Sequence, residues 1–162
     1  MDPIVLELLS KIIGISTDIY NSIGPGYNEV IYHKAFEIAL RLQNLNYQSE
    51  VVTPIFYKGM NVGHGRVDLI IGNNLIIELK AITNFNGDTA NIQIKNYMKH
   101  YSITNGLIIN FSQTNKGNSG LNIKYVSCDK VYNFVNNSFI EINKTMEINT
   151  FFLMTFHVLI IN

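Results

Sequence analysis

The sequence GRVDLIIGNNLIIELK at residues 65–80 decides the fold expected for this chain. Its two halves are almost wholly aliphatic, which predicts two buried β-strands joined by a turn at residues 72–74. Besides Arg66 near its start, three ionisable residues interrupt this apolar setting, namely Asp68, Glu78 and Lys80. Charged groups are costly to bury unless they are paired. A divalent cation held by the two carboxylates, with the ammonium beside it, would satisfy all three.

The spacing of these residues favours one shared site. Glu78 and Lys80 lie on the same face of their predicted strand, because side chains alternate along a strand. If the strand that carries Asp68 pairs with it through the short turn, the two carboxylates converge. Oxygen ligands of this kind suit Mg²⁺ or Mn²⁺, which polarise phosphate groups. Lys80 would then position a water or stabilise developing negative charge.

The alternative interpretation is a surface Glu–Lys pair on an edge strand, with Asp68 at a bend. An edge strand that faces water should show one polar face, whereas both flanks of this segment are aliphatic. The apolar flanks therefore favour the catalytic interpretation.

Length and composition restrict the class of protein. The chain has 162 residues, 47% of them hydrophobic and 15% charged, as expected for one globular domain with a core of its own. The net charge is +0, so any basic surface for nucleic acid must be local. Cys128 is the only cysteine, which excludes an intrachain disulfide framework. Neither a signal peptide nor a membrane-spanning segment is recognisable, so we expect an intracellular protein that is not secreted, either cytoplasmic or viral/nucleoid-associated.

Hydrophobic periodicity predicts the order α-α-β-β-β-α-β-β, which is an α/β fold with a mixed central sheet flanked by helices. The first predicted helix begins at Asp2-Pro3, and the second and third span residues 28–42 and 89–102. The predicted strands span residues 51–57, 62–71, 75–81, 106–111 and 121–126. Pro54 predicts that the first strand lies at a sheet edge or contains a bulge. In the third helix, Ile92 and Tyr97, with Met98 or Tyr101, are expected to face inward.

The C-terminal part of the chain is harder to interpret. Residues 131–135 and 139–142 flank Asn136-Asn137-Ser138 and predict a hairpin, and residues 151–161 are apolar. We therefore predict a core over residues 1–126 and an extension over residues 127–162. The extension is expected to pack on the core or to form a homodimer interface.

Two further pairs of residues share a helical face. Glu29 and Tyr32 are three residues apart, although a glutamate in a first helical turn is also favoured by the helix dipole alone. Gln93 and Tyr97 are four residues apart and could bind phosphate or orient a lysine, although the pair alone favours an ordinary half-buried helix face. Next to them, Lys95 and Lys99 form a modest basic stripe that suits a nucleic-acid backbone or a solvated surface.

Taken in this order, the motifs resemble those of the GxxExxY family, a branch of the PD-(D/E)XK nuclease superfamily. The matching motifs are Gly26-x-x-Glu29-x-x-Tyr32, Asp68 with Glu78-x-Lys80, and Gln93-x-x-x-Tyr97. The likeness covers residues 12–126, and the combination is far more specific than any one motif. The resemblance implies a restriction-endonuclease-like core, in which an acidic site lies at one edge of a mixed sheet.

The resemblance also implies roles for individual residues. Asp68 and Glu78 would be metal ligands together with the backbone carbonyl of Leu79, and the metal would be Mg²⁺ or Mn²⁺. Lys80 would be the catalytic lysine, and Glu29 would be an additional catalytic acid.

A second set of residues is expected to contact the substrate. Gln93 and Tyr97 match the QxxxY element of the branch that resembles recombination exonucleases, and Tyr32 is expected to contribute as well. The sequence departs from the family in Ala90-Asn91-Ile92, where the family usually has His, an acid and Ala.

Our leading hypothesis is a metal-dependent nuclease that hydrolyses phosphodiester bonds in DNA, with a role in repair or recombination. The alternative is a catalytically weak nucleic-acid-binding or scaffold module on the same fold, suggested by the neutral charge and the unmatched tail. An RNA-directed enzyme is not distinguished, because nothing in the sequence reads a base or a 2′-hydroxyl.

Overall fold

The helices and strands follow the aliphatic runs of the sequence. A computed structural model describes residues 3–85, 87–113 and 120–142. The elements in these residues are α1 (Pro3–Ile23), α2 (Glu29–Leu42), β1 (Tyr47–Tyr57), β2 (Met60–Ile71), β3 (Leu75–Lys80), α3 (Asp88–Tyr101), β4 (Gly106–Phe111), β5 (Leu121–Val126), β6 (Val131–Val135) and β7 (Ser138–Glu141). The predicted α/β class is confirmed, whereas Asp2 and residues 151–161 lie outside the described residues.

The strands form one mixed sheet in the order β1 to β7. Only the β3–β4 pair is parallel among the described strands, and the other neighbours are antiparallel. A parallel pair needs a long crossover, which α3 supplies. Pro54 lies in the edge strand β1, as predicted. The hairpin of β6 and β7 extends this sheet through residues 131–141, while the predicted boundary after Val126 stays a prediction.

Helices cover both faces of the sheet, which explains why its central strands are aliphatic throughout. The helices α1 and α2 pack on the face that carries Leu69, Ile77 and Leu79, and α3 packs on the face that carries Val67 and Ile76. All six residues of β4 are buried, as expected for a strand in the middle of a sheet that is covered on both sides.

The inward face of α3 differs from the prediction. Its buried residues are Ala90, Ile94, Tyr97 and Met98, whereas Ile92 is 65% exposed. The prediction for Ile92 is therefore wrong. The docking of α3 depends on Gly106 in β4, where a β-carbon would lie 2.8 Å from Ile94 Cδ1 and 2.9 Å from Met98 Sδ. This close approach fixes the rotation of the helix, which turns Ile92 toward solvent.

The described helices are also informative about membranes. None of the helices in residues 3–85, 87–113 and 120–142 combines the length and the apolar character that crossing a bilayer requires.

Candidate active site

The strands β2 and β3 stop pairing at the level of Asp68. Their last pair is Leu69 with Ile77. One residue further, Asp68 Oδ2 accepts a hydrogen bond of 2.7 Å from the backbone N–H of Leu79. If the pairing of β2 and β3 continued, the N–H of Leu79 would bond a backbone carbonyl of β2. The side-chain oxygen of Asp68 accepts this hydrogen bond instead. This contact fixes the Asp68 carboxylate beside the end of β3.

Lys80 lies close to the other two acidic residues of the site, Glu78 and Glu29. Its Nζ donates to Glu78 Oε1 at 2.6 Å and to the Leu79 carbonyl at 3.0 Å. The same ammonium lies 3.9 Å from Glu29 Oε2. Glu78 is 1% exposed, so its carboxylate is almost wholly removed from water. The structure therefore brings Glu29, Asp68, Glu78 and Lys80 together in one cluster, which is the arrangement expected from the sequence and the resemblance.

Tyr32 anchors the helix that carries Glu29. Its hydroxyl donates to the Gly24 carbonyl at 2.8 Å, and its ring stacks on Phe111 with 4.3 Å between centroids. The Tyr32 side chain is fully buried. The predicted contact between Tyr32 and substrate has no support in this geometry, because its hydroxyl is bonded to the protein and lies away from solvent. Tyr32 instead holds the turn before α2, which points Glu29 toward Lys80.

The acidic groups of the site hold protons more tightly than usual. Burial, followed by the negative charge of Asp68, raises the pKa of Glu78 to about 7. Burial also raises the pKa of Asp68, against the opposing N–H of Leu79, and it raises the pKa of Glu29. Burial by itself would lower the pKa of Lys80, but the surrounding carboxylates together raise it. Three carboxylates thus share one ammonium, which leaves an excess of negative charge.

The donor set fits a hard divalent cation. Glu78 Oε2 is buried and makes no hydrogen bond within the described residues, although a buried carboxylate oxygen needs a partner. Asp68, Glu78 and the Leu79 carbonyl offer only oxygen, which suits Mg²⁺ or Mn²⁺. The described residues contain no cluster of three or more His, Cys, Asp or Glu side chains arranged for a metal. Such an ion would therefore rely on the carbonyl and on water or substrate oxygens.

Gln93 and Tyr97 lie on α3 and contact the strand that carries Asp68. The Tyr97 hydroxyl accepts the backbone N–H of Arg66 at 3.1 Å and lies 3.4 Å from Gln93 Nε2, which donates to it. A β-carbon at Gly65 would lie 2.8 Å from the Tyr97 hydroxyl oxygen, so a glycine is needed there. The pair thus holds β2 two residues before Asp68. Substrate contact by Gln93 and Tyr97 stays a prediction.

Asn110 is a positioning residue that sequence reasoning missed. It is fully buried in β4, where it lies opposite Lys80 in the register of β3 and β4. Its Oδ1 accepts the backbone N–H of Ile82 at 2.9 Å, and its Nδ2 donates to the Ile82 carbonyl at 3.0 Å. The available signal was a polar residue inside the aliphatic run GLIINF. Asn110 fixes the path of the chain directly after Lys80.

Asn110→Ala is expected to destabilise the protein by about 1–3 kcal/mol, because it leaves the backbone groups of Ile82 without partners. Urea unfolding measures this difference. Asn133→Ala, in a half-buried position of β6, is the matched control and should cost less than about 0.5 kcal/mol. Equal stability of the two variants would contradict the role of Asn110 in holding the chain at Ile82.

Comparisons with known proteins place this geometry in context. The sequence matches the family model described as the PD-(D/E)XK nuclease superfamily over residues 6–121, which include all four clustered side chains. Among solved structures, the crystal structure of SSO0001 is similar at 20% identity and a TM-score of 0.45, over 60% of this chain and 48% of that chain. This chain thus spans about half the length of that structure. A search of curated proteins found no significant match.

Proposed function

Because the chain belongs to the PD-(D/E)XK nuclease superfamily, we propose that it is a Mg²⁺- or Mn²⁺-dependent nuclease that hydrolyses phosphodiester bonds in DNA. The observation that carries the proposal is the cluster of Glu29, Asp68 and Glu78 around the Lys80 ammonium. Within the superfamily, we assign the chain to the GxxExxY family and to the branch that resembles recombination exonucleases. The spacing of Glu29 and Tyr32, and the pairing of Gln93 with Tyr97, support that assignment.

The metal ligands in this proposal are Asp68, Glu78 and the Leu79 carbonyl, with Glu29 close by. When bound, a divalent ion there polarises the phosphoryl group and makes a water more acidic. The hydrogen bond from Leu79 N–H holds Asp68 in one orientation before any substrate arrives. Because this contact is made by the backbone of β3, the orientation is as rigid as the sheet.

Lys80 is the group that acts on the substrate. Its raised pKa keeps the ammonium charged at neutral pH. A charged donor fixed beside the scissile phosphate orients the attacking water and stabilises the negative charge that develops on the phosphate oxygens. Glu29 and Glu78 flank this ammonium and so determine where its charge lies. Glu29 is the more exposed of the two carboxylates, which leaves it accessible from the substrate side.

The proposal predicts cleavage of DNA in Mg²⁺ or Mn²⁺ and none in EDTA. Labelled single-stranded, duplex and branched DNA are incubated with purified protein, and the products are separated on denaturing gels. Asp68→Ala and Lys80→Ala proteins, purified in the same way, control for contaminating nucleases. Absence of cleavage with either metal, or cleavage that both variants retain, would reject the proposal.

A catalytically weak DNA-binding or scaffold module is the second candidate. It is favoured by the contacts of Lys80, whose ammonium bonds both Glu78 and the Leu79 carbonyl, two of the groups proposed as metal ligands. DNA binding that is equal in Mg²⁺ and EDTA, and unchanged in Glu78→Gln, would support this candidate. Light scattering of the full chain tests the proposed homodimer.

A further inference from the structure

The first hairpin projects beyond the rest of the sheet. Pairing of β1 with β2 continues from Tyr47 and Ile71 to Tyr57 and Met60, whereas β2 pairs with β3 only over its last three residues. Residues 51–66 therefore form a two-stranded extension, here called the hairpin arm. Because its second strand has no β3 partner beyond Leu69, this arm is free to form the wall of a cleft.

A cleft of about 890 Å³ lies between the hairpin arm and α3. Its walls include residues 53–56 of the arm and Ile92, Gln93, Asn96 and Lys99 of α3. This space, called the arm–α3 cleft below, falls within the range of about 300–1,000 Å³ that is usual for ligand pockets. It is large enough to admit a ligand of nucleotide size.

The walls of the arm–α3 cleft expose large apolar side chains. Phe56 is 60% exposed on the arm, and Ile92 is 65% exposed on α3. Both residues break the apolar-inward pattern of their elements, and such departures are expected at functional surfaces. An exposed phenyl ring and an exposed aliphatic group in one cleft offer apolar surface for a planar ligand.

The described residues that line the cleft include Lys99 and no Asp or Glu. Residues 51–66 and 89–104 contain no Asp or Glu, but they contain Lys58, Arg66 and the lysine stripe of α3. Arg66 is paired with Glu50 at 3.1 Å, whereas Lys95 and Lys99 have no carboxylate within ion-pair distance among the described residues. Because the whole chain has a net charge of +0, this region is locally basic. It complements a polyanion.

The arm–α3 cleft shares strand β2 with the acidic cluster. Gly65 and Tyr97 line the cleft, and the Tyr97 hydroxyl accepts the N–H of Arg66. Asp68 follows two residues later on the same strand. A chain bound in the cleft therefore lies against the strand that carries Asp68.

We propose that the arm–α3 cleft binds single-stranded nucleic acid, with bases stacked on Phe56 and Ile92 and phosphates contacting Lys99. This inference rests on the proposed nuclease function and names its substrate class. Stacking on an aromatic side chain requires an unpaired base with a free face, whereas the bases of a duplex are covered by their neighbours. Phosphate contacts alone would leave the exposed apolar walls without a role.

Fluorescence anisotropy in EDTA tests the proposal without cleavage. The probe is a labelled DNA oligonucleotide, used single-stranded or annealed to its complement. We expect the single strand to bind at least about ten-fold more tightly than the duplex, and Phe56→Ala to weaken that binding by about ten-fold. Lys99→Gln should reduce the salt dependence of binding, and Lys11→Gln on α1 is its control.

Matched aliphatic variants separate the cleft from the general surface. Ile92→Ala alters the cleft, whereas Ile38→Ala alters α2, where Ile38 is 52% exposed. We expect only Ile92→Ala to weaken binding of the single strand. Circular dichroism verifies that each variant is folded, which is expected because all of these side chains face solvent.

Three results would overturn the proposal: equal or tighter binding of the duplex, equal binding by Phe56→Ala and Ile38→Ala, or a wild-type dimer in light scattering that Phe56→Ala makes monomeric. The last result would assign the cleft to a second copy of the chain. Phe56-dependent binding of the single strand, without metal-dependent cleavage, would refute the nuclease function alone. Metal-dependent cleavage, together with binding of the single strand that Phe56→Ala does not weaken, would refute the cleft proposal alone.

Discussion

Asp68→Asn is expected to lower kcat/KM for metal-dependent DNA cleavage by about 10³-fold, because a divalent cation supplies several kcal/mol of charge stabilisation and loses an anionic ligand. The variant should keep the fold, since the amide oxygen of Asn still accepts the N–H of Leu79 that Asp68 accepts at 2.7 Å. The substitution thus removes the charge and retains the hydrogen bond. It separates a chemical role of the carboxylate from a structural one.

Initial rates on labelled DNA measure the loss of activity. Thermal melts with and without Mg²⁺ measure whether the fold is retained and whether metal still binds. Mg²⁺ should raise the melting temperature of the wild type and leave that of Asp68→Asn nearly unchanged. Asp129→Asn, at an exposed position between β5 and β6, is the control and should change the rate less than about twofold. A fully active Asp68→Asn enzyme would exclude Asp68 as a ligand.

Glu78→Gln is expected to stabilise the metal-free protein at pH 8 by on the order of 2 kcal/mol while abolishing cleavage. Burial and the charge of Asp68 raise the pKa of Glu78 from 4.5 to about 7, so the ionised side chain opposes folding. The amide oxygen of Gln still accepts a hydrogen bond from Lys80 and carries no charge. The substitution therefore relieves the cost of a buried carboxylate.

The direction of the pH dependence follows from proton binding. Between pH 4.5 and about 7, Glu78 binds more protons in the folded state than in the unfolded state. The free energy of unfolding of the wild type therefore falls as the pH rises through this window, and the full penalty applies above it. The raised pKa values of Asp68 and Glu29 act in the same direction.

Urea unfolding in EDTA at pH 5 and pH 8 measures this effect. The wild type should lose stability between the two values, and Glu78→Gln should lose less. Glu37→Gln on α2 controls for the removal of one carboxylate elsewhere. Lower stability of Glu78→Gln than of the wild type at pH 8 would show that the ionised carboxylate supports the fold.

The parts of the fold that the sequence predicted best are those determined locally. The strands β4 and β5 have the predicted bounds, because each is an aliphatic run between polar or glycine-rich segments. The meeting of Asp68 with the end of β3 was also predictable, since a short turn forces neighbouring strands into antiparallel pairing. In both cases the determining residues are close together in the sequence.

The missed features depend on residues that are distant in the sequence. The exposure of Ile92 follows from how closely α3 approaches Gly106, which helical periodicity alone does not reveal. The role of Asn110 depends on the chain after Lys80, which is 28 residues away at Ile82. Tyr32 has the spacing of a motif residue, but Phe111 covers its ring. Each of these facts is a property of tertiary packing.

The contacts of Lys80 are expected to separate folding of the chain from metal binding, two events that coincide in many metalloproteins. Its ammonium is a tethered cation that already holds Glu78, the Leu79 carbonyl and, more loosely, Glu29 in place. Because this internal counter-ion offsets part of the negative charge of the cluster, we expect the chain to fold in chelator and to take up metal afterwards. Purification in chelator followed by loading should give a protein that is switched on and off reversibly.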